Sequence, residues 1–553
     1  MKKKKFYLFS LLSILTITLT ACDFSPFGFL SNFFNNDSYG NESYDPGSYS
    51  VNTKDSDSPF QSIPNYEPVK EDVDYTYKDL ANHNLYSTDT MPSKGDVNIL
   101  VIPVWFSDST NAISTGSSLT KKSKDQVRRD IRNAFFGSGD EVSWRSVKTY
   151  YHEASFGKLN IGGAVTGWYE PNNRASYYTN SNVTINLLKD AVAWAKRTYG
   201  SQIDFREYDA DNNGYLDCVC LIYGYHNSNY QEGFSFWTRP TKGNDNLWAY
   251  TFWAQDVNLQ DKTNPGVNTF LWASYDFMYP EYAGGANTTP GLPDAHTYIH
   301  ELGHCMGLED YYDYNNNPTC PAGAFSMQDY NIGGHDPYSR MALGWVNPYV
   351  PIGDCDITIS SFESSGDIIV LSPNYVKSPF DEYIILELYT PSGLNAFDTA
   401  NAWNNQYPRG ALIPGIRIWH VDSRLLEYKT YPRYENEGYV ISKTINNRYY
   451  YSLGLSNTTY STASADYCSI CPALRQYSLL YLVRNSSTFS YPAREKSFFN
   501  SGDLFLENDT FTLNSFSNQF VNRTTLDNGQ NLPFRVTVKS VDDNSATIGI
   551  EVI

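Results

Sequence analysis

The chain has 553 residues, enough for three or four domains of about 150 residues each, so its length does not limit core formation. Its formal net charge is -19 at pH 7, which argues against nucleic acid as a partner because phosphate contacts need lysine and arginine.

The first 21 residues have the pattern of a secretory signal peptide. A basic stretch at residues 2–5 precedes an apolar stretch at residues 6–19, and the sequence Leu-Thr-Ala-Cys ends at Cys22. These four residues resemble the bacterial lipobox, in which cleavage precedes the cysteine and the cysteine is lipidated. An ordinary signal peptide with a chance cysteine is the alternative. No later segment is apolar over the roughly 20 residues of a membrane-spanning helix, so the lipid on Cys22 would be the only attachment to the bacterial cell membrane, on its extracellular face.

Residues 22–93 are rich in serine, asparagine, aspartate, tyrosine and proline and show no sustained periodicity. This composition predicts a disordered tether that holds the folded part away from the membrane. Part of the segment is alternatively an inhibitory prosegment. Because it has no cysteine after Cys22, we do not expect a cysteine-switch form of latency.

A first folded unit is predicted over residues 94–350. The nearly continuous apolar run Val97–Phe106 predicts a buried strand close to its start. Periodicity and end signals then predict a helix over 124–136, a helix over 146–153, a strand over 159–169, a helix over 183–198, a strand over 218–223 and a helix over 293–306.

The segment from 209 to 217 has the spacing of a calcium-binding loop. Oxygen-bearing side chains alternate along it, and a glycine occupies the sixth position. The predicted ligands are Asp209, Asp211, Asn213, the Tyr215 carbonyl and Asp217. The last, bidentate glutamate of a full EF-hand is absent because Cys220 occupies its place, and a simple Asn/Gly turn is the alternative.

The run His-Glu-Leu-Gly-His-Cys-Met-Gly-Leu-Glu-Asp has the pattern of a catalytic zinc site. On a helix, His300 and His304 project from one face, and two neutral imidazoles at this spacing bind Zn²⁺. Glu301 lies next to that face and can accept a proton from a water on the metal. Gly307 permits a sharp turn that brings Asp310 back as a third ligand. Because three protein ligands leave a fourth position open, the run predicts a zinc hydrolase, and a peptidase above all.

After about residue 350 the pattern changes to short alternating runs separated by turn residues. These runs lie at 383–388, 416–421, 478–483, 534–538 and 546–552. They predict one β-rich, sandwich-like domain over residues 351–553.

Seven of the eight cysteines follow Cys22, and this odd number leaves at least one of them unpaired. Cys468 and Cys471 form a C-x-x-C without a second pair or a nearby histidine, which favours a local disulfide or two free thiols over a zinc site. A disulfide between Cys305 and Cys320 would join the zinc helix to the loop that follows it.

The zinc run and its flanking segments resemble the secreted metallopeptidases typified by bacterial immune inhibitor A, which are metzincin-like zincins. The flanking segments are Ser146–Leu159, Val165–Tyr169, Gly333–Trp345 and Ile418–Asp422. The resemblance covers most of residues 95–425. It implies an endopeptidase with an α+β zincin-like catalytic domain, built from a mixed twisted sheet, a backing helix and an active-site helix, and followed by a β-rich domain.

The resemblance also bears on the third zinc ligand. The family often has proline before the motif aspartate, whereas this chain has Glu309 there. Asp310 matches the motif position, and Glu309 and Asp313 are the alternatives.

Two residues after the zinc run are further site candidates. Met327 matches a Met-turn, which packs beneath the metal without binding it. Tyr330 is a candidate donor to the developing oxyanion, although in a chain with 46 tyrosines a simply packed side chain is the alternative. His296 is expected in the first turn of the zinc helix. Structural, hydrogen-bonded roles are expected for His152, His226, His335 and His420. A role in the cleft is the alternative for His335 and His420, which lie in the family-like segments.

The sequence therefore predicts a membrane-anchored extracellular zinc endopeptidase, with calcium as a second metal, that acts as a monomer on protein or peptide substrates. Two alternatives stay open. One is a metallopeptidase restricted to host glycoproteins or mucins, and the other is a surface adhesin or binding lipoprotein with an inactive site.

Overall fold

The protein is described from a computed structural model, which covers these residues: 66–73, 76, 78, 90–109, 122–227, 246–254, 256–279, 292–312, 321–401, 409–423, 425–428, 443–445, 448–452, 478–486 and 498–553. The predicted signal peptide, Cys22, Asp313, Cys320 and the Cys468/Cys471 pair lie outside these residues. Among the helices of the described part, none is long and apolar enough to span a membrane.

A five-stranded mixed sheet forms the centre of the first unit. The strands in this part of the chain are β1 (Gly95–Val104), β2 (Leu159–Val165), β3 (Tyr215–Leu216), β4 (Val219–Tyr223), β5 (Tyr250–Trp253), β6 (Gly266–Val267) and β7 (Thr269–Ser274). The order in the sheet is β2-β1-β4-β7-β5, and β3 pairs with β6 separately. Neighbouring strands run parallel except for β5, which pairs antiparallel with β7 at the edge.

Helices cover both faces of this sheet, which explains the nearly continuous apolar sequence of β1. The helices are α1 (Lys124–Phe136), α2 (Val147–Ala154), α3 (Ser181–Tyr199) and α4 (His296–Cys305). Val97, Ile99 and Val101 of β1 point to one face, where they pack with α1, α2 and α4 in a central cluster. Leu100 and Ile102 point to the other face, where they pack with α3 in an outer cluster.

The helix ends follow local capping chemistry. Ser123 forms a capping box with Gln126 at the start of α1. Asn180 accepts a hydrogen bond from the backbone N–H of Val183, so α3 begins two residues before its predicted start. The strand predicted over 159–169 ends at Val165, and β5 and β7 were not predicted.

The helices and strands that follow are α5 (Met327–Tyr330), α6 (Pro337–Ala342), β8 (Cys355–Ser360), α7 (Phe362–Ser365), β9 (Ile368–Leu371), β10 (Glu382–Tyr389), α8 (Ala396–Ala400), β11 (Gly415–Asp422), β12 (Leu425–Tyr428), β13 (Lys443–Ile445), β14 (Arg448–Ser452), β15 (Leu480–Val483), β16 (Thr510–Phe511), β17 (Phe534–Val541) and β18 (Ser545–Val552). They form antiparallel sheets with the orders β15-β11-β10-β9, β16-β17-β18-β8 and β12-β14-β13. The predicted β-rich character of the later chain agrees with this arrangement.

The sheet that contains β10 lies between two hydrophobic clusters. Tyr383 and Ile385 point into the central cluster. Ile384 and Leu386, on the opposite face, join residues of β8, β17 and β18 in a C-terminal cluster. Two antiparallel sheets thus share one core, as in a sandwich. The division of the chain at residue 350 stays a prediction, and the central cluster crosses that position.

Parts of the segment predicted as a tether lie against the folded unit. The backbone N–H of Glu71 donates to the Pro348 carbonyl at 2.9 Å. The backbone N–H of Met91 donates to the Cys305 carbonyl at the end of α4 at 2.8 Å. The indole of Trp345 donates to the Ser93 carbonyl at 2.7 Å. Residues 66–73 and 90–93 belong to the segment predicted as a tether, and in the structure they contact the fold.

Candidate metal centre

Helix α4 presents two histidines from one face, and backbone carbonyls fix both rings. The Nδ1 atom of His300 lies 2.7 Å from the Met327 carbonyl oxygen, and the Nδ1 atom of His304 lies 2.7 Å from the Leu308 carbonyl oxygen. A carbonyl oxygen only accepts, so Nδ1 carries the proton in each ring. In the neutral imidazoles both Nε2 atoms then carry an exposed lone pair, which is the form that binds a metal.

A glycine turn brings a carboxylate to the same point. Gly307 has a φ of 103°, a conformation that side chains rarely adopt, and it follows directly on the end of α4. The chain then reverses, and Asp310 Oδ1 comes to 2.9 Å from His300 Nε2 and 3.2 Å from His304 Nε2. The two Nε2 atoms are 3.0 Å apart. Two nitrogens and one oxygen thus converge on one point.

This donor set fits a zinc ion. Ligands at about 2.0–2.1 Å from a tetrahedral ion are about 3.3 Å apart, close to the separations of these three atoms. His300 and Asp310 are buried and His304 is partly so. Burial lowers the pKa of His304, but the Asp310 carboxylate outweighs it and raises that pKa to about 10. Burial raises the pKa of Asp310, but His304 and His300 bring it well below its usual range. A positive charge is therefore favoured between these atoms, whether it is a proton or a metal.

Glu301 lies beside the converging atoms and is 2% exposed. Burial raises the pKa of its carboxyl group, while the nearby His304 and His300 lower it. Thr251 of the edge strand β5 contacts it: the hydroxyl oxygen is 2.7 Å from the Glu301 carbonyl oxygen and 3.3 Å from its Oε2. The Glu301 side chain is thus held beside the converging donor atoms and is shielded from bulk water.

Behind α4, Gln328 lies against the helix backbone. A Cβ atom at position 303 would approach the Gln328 Oε1 to 2.3 Å, which explains the glycine in the middle of the motif helix. The same oxygen lies 3.1 Å from His335 Nε2, and His335 Nδ1 lies 2.8 Å from the Tyr150 hydroxyl. Burial lowers the pKa of His335 well below its ordinary value, so the ring is neutral. The structural role predicted for His335 agrees with these bonds.

His296 is the first residue of α4, as predicted. Its Nδ1 lies 2.8 Å from Asp294 Oδ2, and its Nε2 lies 3.4 Å from Asp398. The ring stacks on Trp144 with centroids 4.1 Å apart. Burial lowers the pKa of His296, but the Asp294 and Asp398 carboxylates raise it to about 10. The ring therefore acts as a buried cation at the start of the helix.

The remaining predicted site residues lie at varied distances from the centre. Met327 is fully buried, and its carbonyl holds the His300 ring. Tyr330 ends α5, with its ring 5.9 Å from that of Phe498; its role toward an oxyanion stays a prediction. Glu309 is half-buried and is not part of the converging group, and burial raises its pKa to about 8. Among the described acidic residues, Asp310 is the one whose carboxylate meets the two histidine nitrogens, and its role as third ligand stays a prediction.

The predicted calcium loop brings three carboxylates together, and we call it the acid loop (residues 209–217). Oxygens of Asp209, Asp211 and Asp217 lie within 4.8 Å of one another. Asp209 accepts the backbone N–H groups of Asn213 at 2.8 Å and Gly214 at 2.9 Å. Asp211 pairs with the Lys78 ammonium at 2.6 Å.

The other two predicted ligands of the acid loop lie within the same turn. The side-chain oxygen of Asn213 accepts the N–H of Tyr215 at 2.8 Å, and Tyr215 begins β3. Burial raises the pKa of Asp217 to about 8 and also raises the pKa of Asp209. The loop therefore gathers negative charge that a cation would stabilise, and calcium in it stays a prediction.

Three further histidines and one cysteine of the described residues have polar or thiol neighbours within the fold. His152 lies 2.8 Å from the Asn160 side chain, and His420 lies 2.8 Å from Glu382. His226 lies 3.5 Å from Asp276. Cys305 Sγ is 3.3 Å from Cys218 Sγ, so among the described residues Cys218 is its thiol neighbour.

Two contributors to the site had no signal in the sequence. Thr251 lies in a strand that was not predicted, 50 residues before its partner. Gln328 lies beside a predicted site residue, but its contact with Gly303 depends on long-range packing. An i, i+4 pattern finds residues that share a helix face, and it cannot find those that reach that face from elsewhere.

The mixed α/β unit and its converging donor set agree with the catalytic unit of a metallopeptidase. Residues 87–329 match the family model described as immune inhibitor A peptidase M6, catalytic domain. The match includes the five-stranded sheet, α4 and Asp310, and it ends inside α5. A comparison with curated proteins finds no match. The resemblance to this family is thus confirmed over residues 87–329, and the match supports a peptidase.

Proposed function

We propose that the protein is an extracellular, membrane-anchored zinc endopeptidase that hydrolyses peptide bonds of proteins. The observation that carries the proposal is the convergence of His300 Nε2, His304 Nε2 and Asp310 Oδ1, with separations of 2.9–3.2 Å, beside the buried Glu301. The match to a peptidase catalytic domain supports the reaction class.

The side chains divide the chemistry among them. His300, His304 and Asp310 would hold the ion, which when bound supplies Lewis acidity to a water and to the substrate carbonyl. Glu301 accepts a proton from the attacking water and donates it to the leaving amine, so the carboxylate is ionised again at the end of each turnover. The carbonyls of Met327 and Leu308 keep both rings in the required tautomer.

Replacement of Glu301 by glutamine tests this assignment. Glu301→Gln keeps the shape and removes the proton acceptor, so we expect cleavage of a protein substrate to fall about 100-fold to 10,000-fold with zinc content unchanged. Glu309→Gln is the control, since it removes a neighbouring carboxylate outside the converging group. A Glu301→Gln enzyme that digests casein at the original rate would end the proposal.

The proposal also includes the location and the second metal. A lipid on Cys22 would anchor the chain, and Cys22→Ser should release it from cells into the medium. The acid loop would bind calcium through Asp209, Asp211, Asn213, Tyr215 and Asp217. An inactive adhesin is disfavoured because the proton acceptor and three converging donors are all present.

A further inference from the structure

The edge strand β5 reaches the proton acceptor through one side chain. Thr251 Oγ1 lies 2.7 Å from the Glu301 carbonyl oxygen and 3.3 Å from Glu301 Oε2. It also lies 3.6 Å from Cys305 Sγ, one turn further along α4. Thr251 is 2% exposed, so water does not compete for these bonds. A strand and a helix that are distant in sequence are thus joined at the residue that handles the proton.

The alternation of β5 explains why a hydroxyl is found there. Ala249 points into the central cluster, on the side of α4, whereas Tyr250 points into the outer cluster. Thr251 has the same orientation as Ala249 because side chains alternate along a strand. In an otherwise apolar layer, a buried hydroxyl is costly unless it is hydrogen-bonded, and Glu301 supplies its acceptors.

We propose that Thr251 is a positioning residue that holds the Glu301 carboxylate in register with the three converging atoms, by tying both its backbone and its side chain to β5. This inference rests on the proposed role of Glu301. A hydroxyl carries one proton to donate, and Thr251 Oγ1 lies within hydrogen-bond distance of both the Glu301 carbonyl oxygen and Oε2. That proton is therefore shared between the backbone and the side chain of one residue.

Replacement by valine isolates the hydroxyl, because Thr251→Val keeps the branched shape. Misplacement of a reacting group costs up to about 100-fold in rate, so we expect kcat to fall about tenfold to 100-fold, with KM within about twofold. Zinc per protein should be unchanged, and Thr251→Ser should restore kcat to within about threefold of the original. Thr251→Ala takes the place of the valine variant if the latter does not fold.

A matched control exists on the other face of the sheet. Thr184 is also fully buried, and its hydroxyl accepts from the Asn246 side chain at 3.0 Å, within the outer cluster. Thr184→Val should lower the thermal midpoint comparably and leave kcat unchanged. If both valine variants lose stability but only Thr251→Val loses kcat, the loss of kcat is due to the contact with Glu301 and not to the burial of valine in place of threonine.

Combination with Glu301→Gln separates this inference from the proposed function. If Thr251 acts through the carboxylate, Thr251→Val should lower the residual rate of Glu301→Gln by less than about twofold. Full activity of Glu301→Gln would end the proposed function itself. An inactive Glu301→Gln with a fully active Thr251→Val would overturn the role of Thr251 alone. So would loss of zinc in Thr251→Val, or a serine variant as slow as the valine one.

Discussion

The donor group at α4 and the acid loop both contain buried carboxylates, but different groups offset their negative charge. At α4, one carboxylate faces two imidazoles whose second nitrogens are bound to carbonyls. In the acid loop, three carboxylates lie within 4.8 Å, and the charged group paired with them is Lys78. A divalent ion at α4 would keep a net positive charge together with its one carboxylate ligand, whereas the three loop carboxylates would exceed the charge of the ion by one, which Lys78 offsets.

This difference in charge suits the α4 group to a catalytic ion and the acid loop to a structural ion. At α4, where two of the three donors are neutral imidazoles, a bound ion would keep the positive charge that polarises a water or a carbonyl, as hydrolysis requires. An ion among hard, anionic oxygens is held firmly without being made reactive, which is the need of a structural calcium site. Removal of one carboxylate from each place tests this difference between the two sites.

The largest effect is expected at the third ligand of α4. Asp310→Asn removes the only carboxylate of the converging group, so zinc affinity should fall by about 100-fold or more. Glu309→Gln removes the adjacent carboxylate and should leave the affinity within about threefold. Competition with a chromophoric chelator measures both. A large loss of zinc affinity in Glu309→Gln, with the affinity retained in Asp310→Asn, would instead assign the third ligand to Glu309.

A smaller effect is expected at the acid loop. Asp209 accepts hydrogen bonds from two backbone N–H groups and faces the other two carboxylates of the loop. Asp209→Asn removes one negative charge from this group, so the stabilisation of the fold by calcium should be lost. Calcium at 100 times its Kd stabilises a site by about 2.7 kcal/mol, which corresponds to roughly 5 °C in the thermal midpoint.

The control for the loop is a neighbouring aspartate outside it. Asp204 is exposed and pairs with Arg206. Asp204→Asn should keep the full calcium-dependent shift in scanning calorimetry. If calcium does not raise the midpoint of the unchanged protein, the loop is a turn and no metal site.

Per pH unit, the smallest effect is a dependence of stability on pH without calcium. Burial raises the pKa of Asp217 to about 8, above its ordinary value of 3.8. Between these values the folded chain keeps a proton that the unfolded chain has lost, so the free energy of unfolding falls as pH rises and levels off above about pH 8. The slope is on the order of 1 kcal/mol per pH unit.

Urea unfolding in EGTA, with zinc retained, measures this slope. Saturating calcium replaces the proton and should flatten the curve, and Asp217→Asn should flatten it without calcium. A protein whose stability rises over this pH range in EGTA would show that Asp217 is ionised in the fold.

The sequence was sufficient where the determining interactions are local. The i, i+4 spacing of His300 and His304 and the turn at Gly307 place the donors through bonds within eleven residues, and α1 and α3 follow from apolar periodicity and caps. The sequence was insufficient where partners come from afar. Thr251 reaches Glu301 across 50 residues, from an aromatic strand whose periodicity gave no signal. The glycine at position 303 is likewise explained only by the fold, because a Cβ atom there would meet the Gln328 side chain.

The hydrogen bond from Met91 to the Cys305 carbonyl sets a boundary for N-terminal trimming. The last carbonyls of a helix have no partner within it, and Met91 supplies one to the turn that carries His304. A maturing protease that cut before residue 90 would leave this bond intact. A cut beyond Met91 would remove this donor from the Cys305 carbonyl and leave the last turn of α4 without its N-terminal partner.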